Sequence, residues 1–192
     1  LANGLTAIGL RPGDRIGVYC ETRYEWMAML LASSCKNITV VTVYPTLGAD
    51  AVRAALMQTA VKAVFVSAET FPKLQTLNLP AETIVITADA VEPTTGLTVV
   101  PITTLEERGV AAPSDDVVPS KDDVALIMFT SGTAKEPKGV VITQHNLLPL
   151  THSYEVRMLY DTTTRYICYL PLAHIFEISI EMCLLVWGGS LG

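Results

Sequence analysis

Short apolar runs rich in β-branched residues alternate along this chain with longer stretches that carry apolar residues at helical spacing. The runs at 15–20 (RIGVYC), 38–43 (ITVVTV), 62–67 (KAVFVS) and 82–87 (ETIVIT) have the length and composition of buried strands. Between them, 23–36 places Trp26, Met29, Leu30 and Ser33 on one helical face. Residues 48–59 turn Val52, Ala55 and Leu56 inward, and 69–77 read as a further helix. Residues 1–10 read as the tail of an amphipathic helix, and the turn Arg11-Pro12-Gly13-Asp14 leads into the first strand. Such a β-α-β-α-β-α-β series needs crossover connections. The expected fold is therefore α/β, a mostly parallel sheet flanked by helices.

The alternation stops at 109–123, where Pro113, Pro119, Ser114, Ser120 and four aspartates predict a loop joining subregion 1–108 to subregion 124–192. Beyond it, 124–130 (VALIMFT) and 140–143 (VVIT) read as strands, and Thr143 is placed to cap a helix starting near Gln144. Residues 165–170 (RYICYL) read as one more strand, stopped by Pro171, and 174–187 as a final helix.

Half of the residues are hydrophobic and the mean hydropathy is +0.40, which is high for a free-standing domain. Two readings fit: strands buried on both faces of a parallel sheet, or apolar surface left for another part of the protein to cover. Residues 175–191 come nearest to a membrane span, but Glu177 and Glu181 interrupt them and Gly188-Gly189 ends them, so they read as a buried helix. A net charge of −6 without any Lys/Arg run excludes a general nucleic-acid binder. Cys20, Cys35, Cys168 and Cys183 are scattered, with three of them in apolar runs, and their spacing predicts packed, reduced thiols of an intracellular protein rather than a metal site. No signal peptide or spanning segment contradicts that compartment. Leu1 in place of an initiator Met, and Gly192 inside a Gly-rich run, predict a piece of a longer protein.

The candidate chemistry lies where strand 124–130 runs into Ser131-Gly132-Thr133-Ala134-Lys135-Glu136-Pro137-Lys138-Gly139. Gly132 lets backbone approach a bulky anion, and successive backbone N–H groups of such a turn form an anion-binding concavity. Thr130, Ser131 and Thr133 add hydroxyl donors, and Lys138 adds a point charge suited to phosphate oxygens. The loop is neither a Walker loop nor a dinucleotide G-x-G-x-x-G turn. On composition alone, a polar hairpin turn between two core strands fits equally well.

Residues 127–140 (IMFTSGTAKEPKGV) resemble the signature loop of the adenylate-forming superfamily, the acyl-CoA synthetases, luciferases and peptide-synthetase adenylation domains. Thr130, Ser131, Gly132, Thr133, Pro137, Lys138, Gly139 and Val140 match it in order. Ala134 departs from its Thr or Ser, and Lys135 from its Gly, which removes flexibility and adds a second cation. Residues 169–177 (YLPLAHIFE) resemble the next block of the family, closest to its long-chain fatty-acid branch. Weaker likenesses at 10–17 (LRPGDRIG) and 43–48 (VYPTLG, with Pro45 where Asp is usual) extend the resemblance over nearly the whole chain.

The resemblance implies that residues 1–192 are part of the large N-terminal domain of a long-chain fatty acyl-CoA synthetase, without its C-terminal domain. The parent would use ATP, Mg2+ and coenzyme A to convert a fatty acid to acyl-adenylate and then to the thioester. Thr130, Ser131, Gly132, Thr133, Lys138 and Gly139 would hold the β- and γ-phosphates, and His174 would serve as the catalytic residue beside the reacting carboxylate. Without the family block, His174 reads as a satisfied core histidine, and Glu177 reads as a structural or edge residue. The family's Mg-handling Glu, its ribose-binding Asp and its catalytic Lys find no counterpart here, so no metal ligand is assigned and the isolated chain is expected to be inactive. A membrane-soluble substrate implies peripheral membrane association of the parent. Two alternatives stay open: activation of another carboxylate, and a non-catalytic family member. A serine hydrolase built on Ser131 lacks the G-x-S-x-G elbow.

Overall fold

The apolar runs pair into one sheet in the computed structural model, which describes residues 1–92, 95–130, 138–157 and 160–192. Its strands are β1 (Arg15–Tyr19), β2 (Thr39–Thr42), β3 (Ala63–Val66), β4 (Ile84–Thr87), β5 (Thr98–Pro101), β6 (Val124–Thr130) and β7 (Lys138–Thr143). They lie in the order β5-β4-β3-β1-β2-β6-β7. Every neighbouring pair is parallel except the antiparallel β6–β7 pair at one edge. Helix α1 (Ala2–Ala7) precedes β1, and α2 (Tyr24–Cys35), α3 (Ala49–Gln58), α4 (Phe71–Gln75) and α5 (Ile102–Ala111) connect parallel strands.

Side chains alternate between two buried faces, as the continuous apolar runs require. Ile16, Val18, Val40, Ala63, Phe65 and Ile86 pack with Leu5, Trp26, Met29, Leu30 and Leu105 of α1, α2 and α5. Val64, Val66 and Val85 pack on the opposite face with Val52 and Leu56 of α3 and with Phe71 and Leu74 of α4. The predicted inward faces of α2 and α3 are therefore the observed ones. Several large apolar side chains nonetheless face outward. Val140 and Val141 of β7, Ile167, Tyr169, Leu185 and Val186 are exposed.

The region ahead of β6 departs from expectation in two respects. The loop at 109–123 begins later, because α5 runs on to Ala111 and Gly109 is a packing residue rather than a breaker. β5 and α5 themselves were not anticipated. The remaining loop is anchored to the end of α2. Lys36, fully buried at the end of α2, donates to Ser114 O (2.8 Å), Asp115 O (2.9 Å) and Asp116 Oδ1 (3.0 Å). Val117 N–H donates to Cys35 O, and Asn37 Nδ2 to Asp123 Oδ2. Those bonds satisfy an ammonium that burial would otherwise penalise heavily. They also hold 112–123 beneath a sheet that β6 continues by pairing with β2.

The strand expected over 165–170 is only β8 (Arg165–Tyr166), paired parallel to β9 (Ser190–Leu191). The backbone bonds continue to Cys168, whose N–H donates to Gly192 O (2.8 Å), and the chain then turns away to reach Thr22, described below. The helix α6 (Gln144–Arg157) starts where expected, but Thr143 is held differently. Asn146 Oδ1 accepts from both the backbone N–H (3.1 Å) and the hydroxyl (2.9 Å) of Thr143. This is the reach-back half of a capping box. The final helix α7 (Ile175–Trp187) ends at Gly188, whose φ of 77° is the left-handed C-terminal conformation that favours glycine. Cys20 and Cys183 are buried, but Cys35 is exposed and Cys168 half-buried, so the expectation of packed thiols holds for two of the four.

Candidate functional site

In an open parallel sheet, ligand sites form outside the carboxyl ends of the strands, where neighbouring connections leave in opposite directions. Here β1 and β2 meet β3 and β6 at that edge. The loop carrying the phosphate-binding candidates leaves from the carboxyl end of β6 and returns as β7, with Thr130 opposite Lys138 in the antiparallel register and Gly139 opposite Phe129. Gly139 is required there: an added Cβ would lie 2.9 Å from Ile127 Cγ2 and 3.2 Å from the Phe129 ring. Lys138 is exposed at the start of β7. Ser131, Gly132 and Thr133 lie outside the described residues.

The segment 170–174 crosses the same edge. Thr22, just beyond β1, donates its hydroxyl to Leu170 O (2.8 Å) and accepts from Leu172 N–H (3.0 Å). Thr42, the last residue of β2, donates to Ala173 O across a buried contact of 3.4 Å. Because Thr42 is in register with Met128 of β6, the sheet brings the segment preceding His174 beside the strand that delivers the loop. Residues remote in sequence thus converge through two threonine hydroxyls at strand ends.

His174 is exposed and is not a core histidine. It is the N-cap of α7, and its Nδ1 accepts from Phe176 N–H at 3.1 Å. An accepting Nδ1 fixes the ring as the tautomer protonated on Nε2, which leaves an N–H for another partner. Glu177 is not an edge residue either. It is fully buried and accepts from Tyr166 OH at 2.8 Å.

A charged clamp stiffens the neighbouring strand ends. Arg23 donates two bonds to Glu25 (2.7 Å each) and two to Asp89 (2.9 and 3.0 Å). Paired donors in this fork geometry match a carboxylate closely. Asp89 also accepts from Ala68 N–H, and Ser67 donates to Glu21 Oε2 at 2.7 Å. Hydrogen bonds from Arg23 hold both the Glu25 and the Asp89 carboxyls below the ordinary carboxylate range. Depressed folded-state values stabilise the fold above the unfolded carboxylate pKa of about 4, and that stabilisation is lost as pH falls through the folded values. We expect Asp89→Asn to cost about 1 kcal/mol at neutral pH, since the pair is partly solvated, and the difference from the parent to vanish in strong acid. Urea unfolding at a series of pH values checks this; a pH-independent difference would remove the ion-pair explanation.

Comparisons with known proteins agree on the family and the fold of the chain. A family model described as AMP-binding enzyme matches residues 1–192. Long chain acyl-CoA synthetase 8 of Arabidopsis thaliana is 34% identical over 203 residues, covering all of this chain and 28% of that protein. Long-chain-fatty-acid--CoA ligase 1 of Saccharomyces cerevisiae is 30% identical over 223 residues, covering all of this chain and 32% of that protein. The chain thus spans less than a third of the length of these curated relatives. The crystal structure of the N-terminal domain of FACL13 from Mycobacterium tuberculosis, with an inhibitor bound, superimposes with a TM-score of 0.80 at 24% identity, covering 99% of this chain and 46% of that one. Apo MatB from Rhodopseudomonas palustris gives 0.80 at 19% identity, covering 99% and 36%. At these identities the structural matches establish the fold.

Proposed function

The chain belongs to the AMP-binding enzyme family, and from that premise we propose that it forms the phosphate-loop part of a long-chain fatty acyl-CoA synthetase. The observation that carries the reading is the convergence of the loop after β6 and the 170–174 segment on one sheet edge. The named relatives, two long-chain acyl-CoA ligases, support the substrate class. Residues 1–192 would be part of the large N-terminal domain, with 1–108 and 124–192 contributing strands to the same sheet.

In the first half-reaction a carboxylate oxygen of the fatty acid attacks the α-phosphorus of ATP. The bond to the β-phosphate oxygen breaks, and pyrophosphate leaves. In the second, the thiol of coenzyme A attacks the acyl carbonyl, AMP leaves with the carboxyl oxygen, and the thiol proton passes to solvent. Neither step needs a protein nucleophile, so the contribution of this chain is positioning and charge stabilisation. Thr130, Ser131, Gly132, Thr133 and Gly139 would supply hydroxyl and backbone donors to the departing pyrophosphate, and Lys138 a compensating charge. His174 would direct its Nε2–H at the reacting carboxylate or the α-phosphate. Magnesium accompanies ATP as a hard, oxygen-ligated counter-ion. The carboxylates at this edge do not fit as its ligands, since Glu21 is engaged by Ser67 and Arg23, and Asp89 by Arg23 and Ala68.

His174 carries two separable roles, and a pair of substitutions in the intact enzyme separates them. His174→Ala loses the cap, costing about 1 kcal/mol of stability. His174→Asn keeps an N-cap acceptor and restores that stability. Both variants lose a hydrogen bond to a charged group, contributing about 1.5–3 kcal/mol, so both should form acyl-adenylate roughly ten- to a hundredfold more slowly. Normal adenylation by His174→Asn would reduce His174 to a helix cap.

A further inference from the structure

The buried face of α7 carries an acidic pair that the proposed reaction does not use. Glu177 and Glu181 lie one turn apart on the same side of the helix and are 0% and 3% exposed. Tyr166 OH engages Glu177 Oε2, but Oε1 of Glu177 and Oε1 of Glu181 are buried without a hydrogen-bond partner among the described residues. The third member of the group is Cys168, just past β8. One ligand atom from each of Cys168, Glu177 and Glu181 lies within 4.8 Å of the others. Cys168 and Glu181 also border a cavity of about 420 Å³, which gives the group an opening. Arg23, the cation on that cavity, is already held by Glu25 and Asp89.

Two buried carboxyl groups beside a half-buried thiol, with acceptor atoms unsatisfied and no cation paired to them among the described residues, are costly unless something positive joins them. We propose that Cys168, Glu177 and Glu181 form a binding site for a borderline-soft divalent cation of the Zn2+ class, which ties α7 to the β8–β9 ribbon. Thiolate and carboxylate oxygen are both ordinary zinc ligands, and three protein ligands leave a fourth position for water. The cavity beside Cys168 and Glu181 leaves room for that water. A metal–ligand distance of about 2.0–2.3 Å requires the three side chains to draw in only slightly from their present spacing. The hydrogen bond from Tyr166 orients the Glu177 carboxylate, the outer-shell arrangement typical of metal sites. The site is independent of the proposed adenylation chemistry, since none of its residues belongs to the phosphate loop.

The test is Co2+ titration of the metal-stripped full-length protein, followed by absorption. One equivalent should produce a thiolate-to-metal charge-transfer band that Zn2+ abolishes by displacement. The band should be absent in Cys168→Ser and retained in Cys35→Ser, whose thiol is exposed elsewhere. Tyr166→Phe should weaken binding roughly 10- to 100-fold, as loss of an outer-shell partner does, and Glu181→Gln at least as much. Should Cys168→Ser fail to fold, alkylation of the parent decides: Zn2+ should protect Cys168 but not Cys35. Absence of the band in folded parent protein, its persistence in Cys168→Ser, or unprotected Cys168 would each overturn the proposal. In those cases a proton shared between the two glutamates becomes the account of the pair.

Discussion

Lys138→Ala in the intact enzyme is expected to slow acyl-adenylate formation by about 10²–10³-fold while leaving the fold intact. The side chain is exposed at the first residue of β7, on the edge strand, and makes no packing contribution that its loss would expose. Surface substitutions of this kind usually shift stability by no more than about 0.5 kcal/mol. Removing one preorganised donor from the charge that develops in a transition state typically costs about 10²–10³ in rate. Pyrophosphate bears the most charge as it leaves, so the deficit should appear in the first half-reaction. Thioester formation from supplied acyl-adenylate should proceed normally. Single-turnover measurement of both steps, with urea unfolding as the control, checks the prediction. An unchanged adenylation rate would make the turn between β6 and β7 a structural hairpin, the bland reading that its composition alone permits.

Gly109→Ala should destabilise the fold by about 3 kcal/mol, although it adds a single methyl group to a helix. A Cβ at Gly109 would lie 2.6 Å from Gly4 N and 3.2 Å from Gly4 Cα. Gly4 answers from α1, where an added Cβ would meet the carbonyl oxygen of Leu105. Both obstacles are backbone, so neither can rotate away, and α1 and α5 must separate. Helix propensity favours alanine by up to about 1 kcal/mol, so the steric penalty must exceed that gain for the sign to hold. Overpacking of a tight contact costs about 1–3 kcal/mol, and a backbone-to-backbone clash belongs at the upper end. Glu106→Ala, on the exposed side of α5, serves as the neutral control. Equal urea midpoints for the parent and Gly109→Ala would mean that the α1–α5 contact does not contribute to stability.

The parts of the fold legible in the sequence are those where a local pattern has one solution. Four β-branched runs could only be buried strands, and the spacing of Val52, Ala55 and Leu56 admits one inward face for α3. The missed pair, β5 and α5, has weaker local signals. β5 is four residues ending in Pro101, and α5 carries Gly109 and lacks a side-chain cap. Its glycine answers to Gly4, more than a hundred positions away, and no local rule contains that information. The over-read strand at 165–170 fails for a related reason. Its apolar residues look like a longer ladder, but backbone pairing with 190–192 runs only to Cys168, and from Leu170 the backbone bonds to the Thr22 hydroxyl instead.

The candidate site divides in the same way. The proposed phosphate loop is a contiguous stretch, and the proposal rests on its residue types and their order. Its placement relative to His174 depends on Thr22 and Thr42, which nothing in the local sequence distinguishes from other strand-end threonines. The N-cap role of His174 was within reach, since it immediately precedes the helical run, but histidine is not among the favoured caps. In the sequence Glu181 figures only as an interruption of an apolar stretch, and Glu177 also as a structural or edge residue. Their spacing of one helical turn was the available signal that both face the same interior. Cys168 joins them through the β8–β9 pairing, which sequence spacing does not reveal.

The most direct test of the central claim is carboxylate-dependent exchange of pyrophosphate into ATP by the intact enzyme, measured across acetate, octanoate, palmitate, oleate and an aryl acid. The account predicts exchange that requires an added acid and is strongest with palmitate and oleate. Exchange confined to acetate or the aryl acid would contradict the long-chain assignment, and no exchange with any acid would contradict adenylation itself.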